Sequence, residues 1–295
     1  MITLWDGGMG NELARRGASN YTDLWSARAL IEAPSVVLDV HRDYISAGSD
    51  VITTNSYSTI PSYLAKEDLA DRYLEFTALA GQLARQAADE SQTKISVNGS
   101  LPPMSESYRA DLVPDETTTL PIYRHLANTL EPFVDGFVCE TMSSATEART
   151  AATAATEAAQ KRNLPVYVSW TLNEEPGSGL RSGESVEQAL SAVKHLEIAG
   201  FLFNCSHPLA IDSALKALAQ LTDKPIGGYA NSFNKVPKEW TLDTGAITKN
   251  DDLSPRDYVE VVGGWIDHGA TLIGGCCGIG PAHIESLAKA YTHRT

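Results

Sequence analysis

Eight short runs of β-branched and apolar residues recur along the whole chain, separated by stretches with the Ala-, Leu- and Glu-rich composition of helices. The runs are Ile2 to Trp5, Asp50 to Thr54, Lys94 to Gly99, Val134 to Glu140, Val166 to Thr171, Gly200 to Cys205, Pro225 to Ala230 and Thr271 to Cys276. Spread over 295 residues, they stand about 37 apart, the length of a strand, a loop and a crossover helix. The clearest helices are expected over Asp68 to Ser91 and Ser143 to Arg162. Eight consecutive βα units predict a single-domain TIM (β/α)8 barrel over residues 1–295. The competing fold, a doubly wound open sheet, would carry a phosphate-binding Gly-rich turn after an early strand. Here the first run leads into Asp6-Gly7-Gly8-Met9-Gly10, which lacks the dinucleotide spacing. Two irregular stretches, Leu101 to Thr119 and Ser232 to Ser254, follow the third and seventh runs, where a barrel carries catalytic loops.

Charge narrows the partners. The chain holds 23 basic and 37 acidic residues, a net charge of −14, which argues against a non-specific grip on nucleic acid or an anionic membrane. No apolar run approaches the roughly 18 residues of a membrane span, and the mean hydropathy is −0.17. The first residues do not read as a signal peptide, and four cysteines are too few and too unevenly placed for a disulfide framework. A cytoplasmic protein with reduced thiols, acting on small molecules, is the expectation.

In a barrel, chemistry gathers at the carboxyl ends of strands. Asp6, Asn55, Tyr57, Asn98, Glu140, Asn204, Cys205, Asn231, Cys276 and Cys277 fall there. Neighbouring strand residues point to opposite faces, so Cys276 and Cys277 can share one target only if the backbone leaves strand geometry, which the flanking glycines permit. Three thiolates at a barrel mouth suit Zn²⁺ with a fourth position open to substrate. Their charge outweighs that of the metal, which makes such a site poor at generating hydroxide and suited to activating a substrate thiol; the natural reaction is alkyl transfer to sulfur. Two alternatives stand beside this: a Cys276–Cys277 vicinal disulfide in a redox barrel, or small buried hydrophobes. Cys139, alternating with Glu140, is expected in the core. His207 reads as a loop histidine at the solvent edge, and His283 belongs to the first turn of the last helix. Asp6 reads equally as a cap on the helix that follows, and Glu140 as a carboxylate bonded to loop amides. Trp5, Tyr57 and Trp170 are the aromatic residues placed near the mouth by strand position, where they would favour a cationic ligand.

The segments Asp6-Gly7-Gly8-Met9-Gly10-Asn11-Glu12-Leu13, Ala47 through Tyr57, Glu140-Thr141-Met142, Asn204-Cys205 and Gly274-Gly275-Cys276-Cys277-Gly278 resemble, in order, the motifs of the homocysteine S-methyltransferases, over essentially the whole chain. The resemblance implies a barrel whose Cys205, Cys276 and Cys277 bind Zn²⁺, with the homocysteine sulfur attacking a donor methyl to give methionine. By the same resemblance Glu140 holds the homocysteine amino group, Asp6 lies near substrate, and Tyr57 approaches the metal when substrate is absent. Asn231 belongs to the substrate pocket, and the loop from Gly99 to Asp111 closes over the substrates. The chain departs from the family pattern on the donor side: Ala230 precedes Asn231 where Pro is usual, Ser232-Phe233-Asn234 follows it, and Ile279-Gly280-Pro281 follows Gly278. The compact length favours a sulfonium donor, S-methylmethionine or S-adenosylmethionine. Betaine, or a methyl-carrying partner protein, is the alternative.

Overall fold

The computed structural model describes residues 1–19, 24–233, 235–241 and 253–292. The expected loop Ser232 to Ser254 thus falls partly outside the described residues, at 234 and 242–252. Eight parallel strands form one sheet in the order β1-β8-β7-β6-β5-β4-β3-β2. They are β1 (Thr3–Leu4), β2 (Val51–Thr53), β3 (Ser96–Leu101), β4 (Gly136–Met142), β5 (Val166–Trp170), β6 (Gly200–Asn204), β7 (Ile226–Ala230) and β8 (Leu272–Gly275). A single parallel bridge, Trp5 to Val51, joins β1 to β2 and closes the ring. Asp50 reinforces that seam: its carboxylate accepts from Leu4 N at 2.9 Å, and its own N donates to Leu4 O at 2.7 Å. The result is a TIM-type (β/α)8 barrel.

The helices α1 (Met9–Arg15), α2 (Ala27–Glu32), α3 (Pro34–Ala47), α4 (Pro61–Leu64), α5 (Tyr73–Asp89), α6 (Glu116–Leu130), α7 (Ala145–Ala159), α8 (Val186–Val193), α9 (Pro208–Leu218), α10 (Pro255–Asp267) and α11 (Pro281–Tyr291) occupy the crossovers. Each expected strand is present within two residues of its bounds. The two expected helices shorten to α7 and to α5 with a 3₁₀ turn at Ala70–Arg72 before it. The expected irregular stretch after β3 is partly regular: the strand runs on to Leu101, Ala110–Leu112 is a 3₁₀ turn, and α6 begins at Glu116. Local chemistry sets several starts. Ser144 accepts from Glu147 N, and Ser185 and Ser254 form capping boxes with Gln188 and Asp257.

Strand alternation builds two apolar layers. Inside the barrel Trp5, Val51, Val138, Leu202, Tyr229 and Leu272 pack together. Between strands and helices lie Phe137, Cys139, Trp170, Phe201 and Phe203. Cys139 is fully buried there, facing away from the site as expected. Trp170 departs from the expectation: it stacks on Phe201 at 5.8 Å and meets Phe203 at 6.1 Å in the outer layer. Side-chain parity is the reason, since Ser169 faces inward to Asn204 and its neighbour must face out.

Candidate active site at the carboxyl end of the barrel

Cys205 follows the last residue of β6, and Cys276 and Cys277 follow β8. The chain leaves strand geometry at both places. Cys205 has φ +50° and Gly278 has φ +82°, left-handed conformations that aim side chains off the strand. The turn after β8 is packed tightly: a Cβ at Gly8 would stand 2.6 Å from the Cys276 carbonyl oxygen, and one at Gly278 only 1.8 Å from Ser232 Oγ. Asn11 Oδ1 accepts from Gly278 N at 2.9 Å, so the Asp6-to-Leu13 segment forms the bed on which the two cysteines lie.

The three sulfurs lie within 4.8 Å of one another, the Cys205 and Cys277 sulfurs 3.8 Å apart. Tetrahedral bonds of about 2.3 Å to zinc put sulfurs about 3.8 Å apart, so the donor set fits a Zn²⁺-sized thiophilic ion. No disulfide joins any of the four cysteines. Hydrogen bonds from Cys276, Cys277 and the Tyr108 hydroxyl push the Cys205 thiol well below its usual range, and the contact with Cys205 pushes Cys276 and Cys277 up. Three sulfurs this close together make a ready soft-metal site, and filling it would release protons.

A cavity of ≈ 110 Å³ opens over the sulfurs. Its wall carries Asp6 and Glu140 and six aromatic residues, Trp5, Trp25, Tyr57, Tyr108, Tyr229 and Trp240. Glu140 accepts from Ser100 Oγ at 2.5 Å and Tyr229 Oη at 3.2 Å. Its partners are hydroxyls on β3 and β7, not loop amides. Burial raises its carboxyl to about 7 against those bonds, with charge on Cys205 adding to the rise. Asp6 does not cap α1, whose N-cap is Gly8 without a side-chain bond; it accepts from Thr53 N at 2.7 Å. Burial lifts it to about 8, against the Thr53 bond, and the neighbouring Glu140 charge contributes. Two carboxyls in one apolar cavity resist ionising together, and an entering cation relieves both.

Tyr57 lines the cavity, but its hydroxyl pairs with Ser107 Oγ at 2.7 Å. The tyrosine on sulfur is Tyr108, with its oxygen 2.8 Å from Cys205 Sγ. Sequence reasoning missed Tyr108, which reaches the site through a long loop whose path no periodicity sets. A signal was present in the aromatic at the centre of that loop. Asn231 lies outside the cavity wall: its Oδ1 accepts from Phe233 N at 3.3 Å and its buried Nδ2 has no hydrogen-bond partner. Asn204 has a definite task, its amide bonding Thr141 N and Thr141 Oγ1, both at 2.8 Å, next to Glu140. Asn55 also lines the wall, while Asn98 is buried beside it with its Nδ2 unpartnered. His207 caps α9, accepting from Leu209 N at 3.3 Å, and is not in the sulfur group; His283 sits in the first turn of α11. Four of the six non-glycine residues with positive φ among the described residues, Trp25, Tyr108, Thr141 and Cys205, line this cavity. Backbone strain concentrated at one place is a mark of a functional site.

The homocysteine S-methyltransferase family model matches residues 3–291. Homocysteine S-methyltransferase 3 of Arabidopsis thaliana is 31% identical, over 96% of this chain and 88% of its own length. Selenocysteine Se-methyltransferase of Brassica oleracea var. italica is 29% identical, over 98% and 88%. The metallated form of the homocysteine methyltransferase MmuM from Escherichia coli superposes with a TM-score of 0.81 at 26% identity, covering 98% of this chain and 96% of that one.

Proposed function

Since the chain belongs to the homocysteine S-methyltransferase family, with its activity of methyl transfer to homocysteine, we propose that the donor is a sulfonium, S-methylmethionine first and S-adenosylmethionine second, and that the metal is Zn²⁺ held by Cys205, Cys276 and Cys277. The observation that carries the reading is the meeting of three sulfurs, two carboxyls and six aromatic faces on one small cavity. When bound, the ion would favour the thiolate form of the acceptor. The protein's own groups do the rest. Glu140, held by Ser100 and Tyr229, accepts the ammonium of homocysteine, and Asp6 supports it from β1. Tyr57 and the indoles of Trp5, Trp25 and Trp240 offer π faces to the positive sulfonium and exclude water. The homocysteine sulfur attacks the donor methyl in line; a carbon–sulfur bond forms as the donor's breaks, and the donor leaves as a neutral thioether. Catalysis is positioning plus an activated nucleophile. Asn231 acts from behind the sulfur loops, not from the cavity wall. We place the enzyme in the cytoplasm, without nucleic-acid or membrane partners; no described helix is long and apolar enough to cross a membrane.

The test is homocysteine methylation against a panel of sulfonium and ammonium donors, with metal analysis under reducing conditions, beside Cys205→Ala. The expected result is about one zinc per chain, turnover with a sulfonium, and loss of both in the variant. Absence of zinc together with full homocysteine binding by Cys276→Ala would overturn the reading.

A further inference from the structure

The cavity wall is backed by a charge pair that the chemistry above does not use. Glu174 and Arg181, on the loop after β5, are paired at 2.7 Å with side chains only 8% and 2% exposed. Burying both ions costs more solvation than burying an apolar pair of the same shape, so stability alone is a weak reason for such a pair. Its remaining bonds run to other loops. Glu174 Oε2 accepts from His207 N at 3.0 Å, two residues beyond Cys205, and Oε1 accepts from Val236 N at 3.2 Å on the loop after β7. Arg181 Nη1 donates to Val236 O at 3.2 Å. The Arg181 guanidinium carbon lies over the Tyr108 ring, 5.0 Å from its centroid, while the Tyr108 hydroxyl meets the Cys205 sulfur and Trp240 packs edge-on at 5.4 Å. Both Tyr108 and Cys205 hold positive φ, at +68° and +50°. Such conformations persist only when surrounding contacts over-determine them.

We propose that the Glu174–Arg181 pair is a positioning latch: without touching substrate, it ties the loops after β3, β5, β6 and β7 together, so that closure of the cavity and placement of the Cys205 sulfur are set jointly. Glu174 holds the Ser206–His207 peptide just past Cys205, and Arg181 holds the ring whose hydroxyl meets its sulfur. Both are positioning residues, and the inference rests on the proposed function in its kinetic and zinc-release readouts and not in its hydrogen-exchange readout.

The test compares Arg181→Met, Glu174→Gln, their double variant and Arg181→Lys, each as full-length zinc-loaded protein. Three measurements are made: zinc capture by excess chelator, amide hydrogen exchange, and homocysteine KM against kcat. Groups supporting metal ligands commonly change metal affinity about 10–100-fold, so each apolar or neutral variant should release zinc at least about fivefold faster. Exchange should rise over residues 104–110, 203–209 and 235–241 while β4 and α7 keep their protection. KM should rise more than kcat falls, and the double variant should be no worse than the weaker single one, since one unit is being removed. Arg181→Lys keeps a charge opposite Glu174 but no planar group over Tyr108, so it should restore protection at 235–241 and not at 104–110. Zinc release and local exchange within about twofold of the parent in Glu174→Gln, an isosteric change that spares the fold, would overturn the latch. So would exchange that rises equally throughout the chain. Exchange and zinc capture are read without methyl donor, and exchange needs no metal. A chain that transfers no methyl yet shows these changes would overturn the proposed function and leave the latch standing.

Discussion

Glu140 sits where its own desolvation works against its proposed task. Its carboxyl is raised from 4.5 to about 7 chiefly by burial, so near neutrality a large share is uncharged and unable to pair with an ammonium. Affinity for homocysteine should therefore fall as the pH drops from 8 to 6. Glu140→Gln should remove that limb and raise the homocysteine KM roughly 30-fold at pH 8, the equivalent of losing a charged hydrogen bond worth about 2 kcal/mol. Stability should move the other way. A carboxyl raised on folding gives the native state the extra proton between 4.5 and about 7, so it costs stability as pH rises through that window. The Gln variant should melt no lower than the parent at pH 8, and a clear drop in its melting temperature would contradict this account. Glu140 was legible in the sequence because its strand parity can be counted, and the three cysteines because they follow the ends of two strands between residues that let the chain turn. Tyr108 and Arg181 were not, since their approach to Cys205 depends on where long loops come to rest.

At the scale of elements, α3 carries an unusual burden. His41 on its buried face is wholly enclosed, with neither ring nitrogen hydrogen-bonded, and burial lowers its imidazole to about 3. The unfolded chain takes up this proton near 6.5, so stability is lost progressively as pH falls below that value. At pH 5 the loss is about 2 kcal/mol. His41→Leu, of similar volume and with no proton to exclude, should flatten the acid side of the stability curve by about that amount in denaturant titrations at pH 5 and pH 7.5; equal slopes for the two proteins would rule the explanation out. The strands show how far elements were readable. Their existence followed from eight apolar runs, but β6 and β8 end one residue earlier than expected because Cys205, and the turn from Cys276 to Gly278, abandon strand geometry. A local pattern registers composition; the left-handed backbone comes from the contacts that fix it, here Asn11 to Gly278 N and Thr171 Oγ1 to Cys205 O.

For the whole molecule, the site joins segments from opposite ends of the chain, with Gly8 packed against Cys276 and Asp6 bonded to β2. A ligand filling the cavity then bridges residues on or just after seven of the eight strands and should stabilise the barrel as a whole. At a homocysteine concentration 100 times its Kd, linkage predicts about 2.7 kcal/mol, which for a barrel of this size is a rise of roughly 4 °C in melting temperature. The rise should require metal and vanish in Cys205→Ser; an equal shift in metal-free protein would place the homocysteine sulfur away from the cysteines. The sequence by itself determined the barrel and the three sulfurs, because strand and helix periods are local and because Cys205, Cys276 and Cys277 stand at strand exits. Tertiary structure alone decided that Tyr108, rather than Tyr57, meets the sulfur, that Trp170 turns outward, and that Glu174 and Arg181 are buried together behind the cavity. Those outcomes depend on loop closure and packing between segments far apart in sequence, and no local pattern encodes which of them will touch.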